Sequence, residues 1–227
     1  MPAVAKPAAV ALPDNRSNVD IYLDEVAPVS IVGRLIKFDV KAAKYVTVDD
    51  DVAIDANAEF IALCDETLVG WIKFYNDGET KPEKHMGLLY DQDFRMLPRE
   101  ELGDLDPSEW PIGPSGQPED PWKHQQCLVL QHTDTNEMYT FATTSDTGRR
   151  AVGNLLRHFK RMQRINANEL PVIRLGAGGF LSKKPGVGYV NVPVFVIRGR
   201  TPRDSAAKPD TSLAADMNDE LPAHVRA

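Results

Sequence analysis

The chain has 227 residues, a formal net charge of −7, 42% hydrophobic residues and two cysteines. This length allows one sizeable domain with tails or two small domains, and no apolar run is long enough to span a bilayer. Cys64 and Cys127 are isolated and have no partner at metal-site spacing, which is typical of a cytoplasmic protein.

Charge is divided unevenly along the chain. Residues 1–147 carry 12 basic and 27 acidic side chains, whereas residues 148–203 carry 12 basic side chains and one acidic side chain. Residues 204–227 carry two basic and five acidic side chains. This division indicates a basic site for a polyanion within a chain whose remainder is acidic.

The first half of the chain contains three predicted regions. Residues 1–18 are rich in alanine and proline and are expected to form a disordered leader. Residues 30–75 are rich in β-branched and aromatic side chains and predict three or four strands. Residues 76–121 are acidic and contain seven prolines, so we expect a long loop with a short helix near its centre. Trp110 and Trp122 are expected to pin this loop by aromatic burial, and stacking on DNA is the alternative role for them.

The second half has the more regular pattern. Residues 127–132 and 137–144 predict a β-hairpin, and residues 171–177 and 188–199 predict a closing pair of strands. Between these pairs, residues 148–165 predict a helix that Ser145 or Asp146 caps. Residues 204–227 are expected to form a disordered acidic tail, which leaves residues 19–203 as a single domain.

The predicted helix has two distinct faces. At about 100° per residue its apolar side chains fall on an arc of about 140° and its basic side chains on an opposite arc of about 120°. The apolar arc would pack on a core, and the basic arc would present a row of positive charge. The basic arc comprises Arg149, Arg150, Arg157, Lys160, Arg161 and Arg164.

The predicted order is β-β-β-α-β-β in a mainly β protein with one principal helix. This order matches the OB-fold, a five-stranded Greek-key barrel that binds oligonucleotides or oligosaccharides. Here the barrel would carry an N-terminal strand extension and the long acidic loop. The alternative is a β-sandwich with one packed helix.

Several sequence blocks resemble an uncharacterised family of phage and prophage proteins whose layout is similar to OB-fold single-stranded DNA-binding proteins. The blocks are GRLIKFD, GWIKFYNDG, DPWKHQQCLVLQ, MYTFATTSDTGRRAVGNLL and GYVNVPVFVIRG. The resemblance covers roughly residues 30–200 and transfers no catalytic residue. It implies a role in phage or prophage DNA replication or recombination in the cytoplasm of a bacterial host. The acidic tail resembles tails that recruit replication or recombination proteins, but the chain ends in His224-Val225-Arg226-Ala227 rather than in an acidic run closed by Pro-Phe.

Single-strand binders combine cations for phosphates with flat rings for bases. Stacking candidates are Trp71, Tyr75, Tyr139, Phe141, Phe180 and Tyr189. Besides the basic arc, the cationic candidates are Lys73, Arg174, Lys183, Lys184, Arg198 and Arg200. Strand alternation puts Trp71, Lys73 and Tyr75 on one face, which we expect to point outward. Alternation does not fix which side Tyr139 and Phe141 occupy.

No catalytic motif accompanies these residues. The chain has no phosphate-binding P-loop, and its histidines are dispersed without metal-ligand spacing, so we expect a non-catalytic protein without metal or cofactor. Two alternatives stay open: a protein-interaction module whose acidic half mimics DNA, and a metal-dependent nuclease using paired aspartates in residues 91–106. The sequence leaves homo-oligomerisation open.

Overall fold

The computed structural model describes residues 32–75, 80–113, 116–183 and 186–206. These residues form eight β-strands and one α-helix. In chain order they are β1 (Arg34–Asp39), β2 (Lys44–Thr47), β3 (Glu59–Lys73), β4 (Glu83–Leu88), β5 (Trp122–His132), β6 (Met138–Thr143), α1 (Asp146–Gln163), β7 (Glu169–Leu181) and β8 (Tyr189–Pro202). Short 3₁₀ turns lie at Arg99–Glu101 and Arg203–Ser205.

All eight strands belong to one sheet in the order β2-β1-β6-β5-β3-β7-β8, with β4 paired to β3 outside this path. The pairs are antiparallel except β1 with β6, which run parallel. β3 pairs with β5 along most of its length, and its register shifts between Leu63 and Leu68. On its other edge β3 pairs first with β7 and then with β4, so it connects both parts of the sheet.

The sheet curls into a half-barrel. Side-chain hydrogen bonds connect the β1–β2 edge of the sheet with β8 at the opposite edge. The Tyr45 hydroxyl on β2 donates to the Val194 carbonyl oxygen on β8 at 3.3 Å. The Asn191 side-chain amide donates to the Val40 carbonyl oxygen at 2.8 Å. Inside the curl, the ring of Phe141 lies 5.5 Å from the rings of both Tyr45 and Phe195.

Helix α1 packs its apolar face into this core. Ser145 caps the helix by accepting a hydrogen bond from the backbone N–H of Gly148 at 3.1 Å. The buried face includes Val152, Leu155 and Phe159, and these side chains join the same hydrophobic cluster as the strands. Its apolar spacing of three and four residues is the reason that the sequence forms a helix here and places it on the sheet.

The structure bears out a mainly β fold with a single helix in the described residues, and α1 begins and ends two residues before its predicted bounds. The predicted five-stranded barrel with a strand extension is not matched, because all eight strands form one sheet. This single sheet also differs from the two sheets of the alternative β-sandwich. The loop predicted for residues 76–121 was wrong in one part. Glu83–Leu88 is a strand although residues 76–121 were predicted to be a loop, because it pairs with the second half of β3. Residues 1–18 and 207–227 lie outside the described residues.

Candidate nucleic-acid interface

Helix α1 presents an exposed row of cations opposite its buried face. Among the described residues, no carboxylate forms an ion pair with the exposed members of this row. Its exposed members are Arg150, Arg157, Lys160, Arg161 and Arg164. Arg149 differs because it turns toward the body, where it pairs with Asp146 and lies 2.5 Å from the Nδ1 atom of His124. Burial lowers the pKa of His124, and the charge of Arg149 lowers it further.

The basic row continues into a groove of about 410 Å³ between α1 and β8. Arg161 stands on the helix side, and Arg198 and Arg200 stand on the strand side. The walls between them are partly apolar, and Ile165 at the helix end is 82% exposed. The groove therefore combines three guanidinium groups with apolar surface, which suits a phosphate-bearing chain whose sugars and bases are partly apolar.

The strand arginines also have carboxylate partners. Arg200 lies 3.2 Å from Glu169, and Arg198 lies 3.7 Å from Glu59. Arg174 lies 2.9 Å from the same Glu59 and does not line the groove. These side chains are 22–56% exposed, and ion pairs at such sites typically contribute about 0–1 kcal/mol. A phosphate could thus replace Glu169 or Glu59 at little cost.

The far end of the β7–β8 hairpin carries exposed rings. Phe180 is 49% exposed and Tyr189 is 65% exposed, and Lys183 is exposed beside them. The Tyr189 ring lies against Gly179, where a Cβ atom would come within 2.5 Å of the ring. In the β7–β8 register Phe180 is opposite Val190 and Tyr189 is opposite Leu181, so the two rings lie on opposite faces of the hairpin and each is exposed on its own side. Lys184 lies outside the described residues.

These rings and the groove lie at opposite ends of β8. Eleven residues separate Tyr189 from Arg200, so the two ends are about 35 Å apart along the strand. They cannot hold one nucleotide together. A ligand that contacts both ends must span about 35 Å.

Tyr139 and Phe141 are not available for stacking. Their relative exposures are 7% and 1%. The Tyr139 ring packs edge-on against Phe60 at 5.7 Å, and its hydroxyl donates to Glu137. Both aromatic side chains of β6 therefore belong to the core of the half-barrel.

Trp71, Lys73 and Tyr75 do not point freely outward as expected. The Trp71 indole N–H donates to the Leu97 carbonyl oxygen at 2.9 Å, and the Tyr75 hydroxyl donates to Glu83 at 3.1 Å. The Lys73 ammonium lies 2.8 Å from Asp104. This hydrogen bond raises the pKa of Lys73 and lowers that of Asp104. Two of the three residues are thus engaged by the segment that follows β4.

We call residues 89–113 the covering segment, since they hold these contacts. Arg99 anchors the segment through two 2.7 Å hydrogen bonds to Asp120 and one of 2.6 Å to the Gly103 carbonyl oxygen. Trp122 is buried, as predicted, and the Trp110 indole N–H donates to the Asp104 backbone. Sequence reasoning missed Arg99, although it is one of only two basic residues, with Arg95, among the many carboxylates of this segment.

The consecutive aspartates after β2 are held by ion pairs with basic side chains of β1. No group of three or more histidine, cysteine, aspartate or glutamate side chains in the described ranges could hold a metal ion. Asp49 and Asp50 pair with Arg34, and Asp51 pairs with Lys37. These ion pairs give the three consecutive carboxylates a structural role in the turn after β2.

Both cysteines of the chain are free and lie in the protein interior. Cys64 and Cys127 are buried, and burial raises the pKa of Cys64 and raises that of Cys127 to about 12, so both stay as thiols at neutral pH. No helix in the described part of the chain is both long and apolar enough to cross a membrane.

No family model, curated protein or solved structure matches the chain.

Proposed function

We propose that this protein binds single-stranded DNA without catalysing a reaction. The observation that carries the proposal is the exposed basic row of α1 continuing into the groove with Arg198 and Arg200. Cations in a row neutralise successive phosphates, and the rings at the β7–β8 tip provide faces for bases. The resemblance to phage proteins is the reason to propose replication or recombination in a bacterial host as the setting.

The strand connectivity supports an OB-fold derivative. When β1, β2 and β4 are left aside, the remaining elements β3, β5, β6, α1, β7 and β8 follow the order of three strands, a helix and two strands that the OB-fold has. The parallel pairing of β1 with β6 adds the β1–β2 hairpin to this core. In OB-folds the loops after the first and fourth strands flank the nucleic acid. In the OB-fold derivative that we propose, the corresponding loops are the β3–β5 connection, which contains β4, and the β7–β8 tip.

The direct test is a titration of labelled oligo-dT with the full chain at two salt concentrations. Each phosphate that a cation neutralises contributes about 0.7 to the slope of log affinity against log salt. Replacing Lys160 and Arg161 with glutamate should weaken binding at least about tenfold and reduce that slope by about 1.4.

The control for this variant is Arg95→Glu, which reverses an exposed charge on the covering segment. It should leave the salt slope within error of the wild type. Absence of binding at low salt, or an equal loss in the control, would contradict the proposal.

A second candidate function is a protein-interaction module, for which the exposed side of the covering segment gives specific support. Leu105 is 55% exposed and Ile112 is 66% exposed, and both lie among exposed carboxylates. Such a surface suits a basic partner with apolar anchors. Capture of a protein partner that persists after nuclease treatment and fails with the Leu105→Ser variant would favour this function.

A further inference from the structure

Lys73 has the surroundings of a phosphate-binding lysine. Its ammonium nitrogen lies 5.2 Å from the ring centre of Tyr75 and 5.9 Å from that of Trp122. Lys73 and Trp122 are register partners across β3 and β5, so the sheet fixes their separation. A cation flanked by two flat rings is the combination that single-strand binders offer to a phosphate and its neighbouring bases.

The Asp104 carboxylate occupies this position in the structure. One of its oxygens accepts hydrogen bonds from the Lys73 ammonium at 2.8 Å and from the Trp122 indole N–H at 3.0 Å. Gly103 and Asp104 have φ angles of 77° and 48°, in the left-handed region. Since that region is unfavourable for a non-glycine residue, the backbone is held there at a conformational cost. The contacts of the carboxylate offset this cost.

The covering segment has little core of its own. Within residues 89–113 only Leu102 is buried among the described hydrophobic side chains. A cavity of about 230 Å³ remains beneath the segment, between Tyr75 on the β3 side and Trp110 on the segment side. A segment held by a few polar anchors over a cavity opens at lower free energy than the sheet below it.

We propose that the surface of Lys73, Tyr75 and Trp122 is a second contact site for single-stranded DNA and that the covering segment occludes it, with Asp104 in the place of a phosphate. The inference rests on the proposed function. A phosphate of bound DNA displaces the Asp104 carboxylate from Lys73, and the segment moves aside. The observed affinity is then the affinity of the open form multiplied by the fraction of molecules that are open.

The first test uses Asp104→Asn in the full chain. The substitution keeps the side-chain size but removes the ion pair, and pairs with this exposure shift such an equilibrium by up to about fivefold. Asp104→Asn should therefore bind oligo-dT up to about fivefold more tightly. The matched control is Glu101→Gln, which removes the same charge from an exposed position on the same segment and should change affinity less than twofold.

Arg99→Gln separates opening from simple electrostatics. It breaks the anchor to Asp120, so opening predicts tighter binding. It also removes a positive charge, so electrostatics alone predicts weaker binding to a polyanion. If either Asp104→Asn or Arg99→Gln fails to fold, the other variant still tests the inference.

Tryptophan emission gives an independent readout. All three tryptophans of the chain, Trp71, Trp110 and Trp122, donate their indole N–H groups to the covering segment. Emission of the wild-type protein should change on addition of oligo-dT. The inference would be overturned if the wild type binds oligo-dT with unchanged emission and if neither Asp104→Asn nor Arg99→Gln binds more tightly than Glu101→Gln. The proposed function would then still stand. Absence of wild-type binding would overturn both.

Discussion

At the scale of single residues, exposure decides which rings can serve a ligand. Tyr139 and Tyr189 are the same residue type, yet Tyr139 is 7% exposed and Tyr189 is 65% exposed. The first has its ring faces covered by core side chains, and the second lies on a glycine at the surface. Under the proposed function, Tyr189 and Phe180 are therefore the candidate rings with the exposure that base stacking needs.

Replacing both Phe180 and Tyr189 with alanine tests this assignment. Base stacking on an aromatic ring contributes about 1–3 kcal/mol per base, so the double variant should bind oligo-dT at least about tenfold more weakly. Leu181→Ala is the matched control, because Leu181 is 74% exposed at the same tip and has no flat ring. It should keep near-wild-type affinity. An equal loss in both proteins would mean that the tip contributes apolar area rather than stacking.

At the scale of elements, α1 combines packing and charge on one helix. Its buried side fills the half-barrel, and its exposed side carries the basic row. The two roles occupy different faces, so they can be altered separately. The position of the helix on the sheet is therefore set by its buried face.

Phe159→Ala should lower the free energy of unfolding by about 3–5 kcal/mol, because the substitution leaves a cavity at a fully buried site. Arg157→Ala, two residues earlier on the exposed face, should change stability by less than about 0.5 kcal/mol. Urea denaturation followed by far-ultraviolet circular dichroism measures both. Similar losses in the two variants would contradict the separation of the faces.

The elements that could be predicted from sequence are those with a local pattern. The apolar spacing of α1 and the polar turn between β5 and β6 lie within about twenty residues, and both elements were found. β4 could not be predicted, because Glu83–Leu88 becomes a strand only by pairing with β3. The contact between Lys73 and Asp104 joins residues 31 positions apart, so no local pattern reveals it.

Local sequence patterns also could not predict which face of β6 packs in the core. Alternation placed Tyr139 and Phe141 on a common face, and the structure shows that this face packs on Phe60, Tyr45 and Phe195. Both faces of a central strand can be apolar, so the pattern alone does not distinguish inside from outside. The inner face of β6 is identified only by the three-dimensional contacts of Phe141 with Tyr45 on β2 and Phe195 on β8.

At the scale of the whole molecule, the curled sheet carries both an acidic covering segment and a basic helix in the described part of the chain. The acidic half keeps the net charge negative, which limits indiscriminate binding to polyanions. If the protein binds single-stranded DNA as we propose, binding depends on the local cations and rings rather than on the net charge.

Ultraviolet cross-linking of oligo-dT to the full chain, followed by mass-spectrometric mapping of the modified residues, tests this array most directly. We expect cross-links within residues 149–164 and 180–200, with further cross-links at Lys73, Tyr75 or Trp122 from the second contact site, and their yield should fall steeply as salt is raised. Cross-links that all lie outside residues 149–200 would contradict the account.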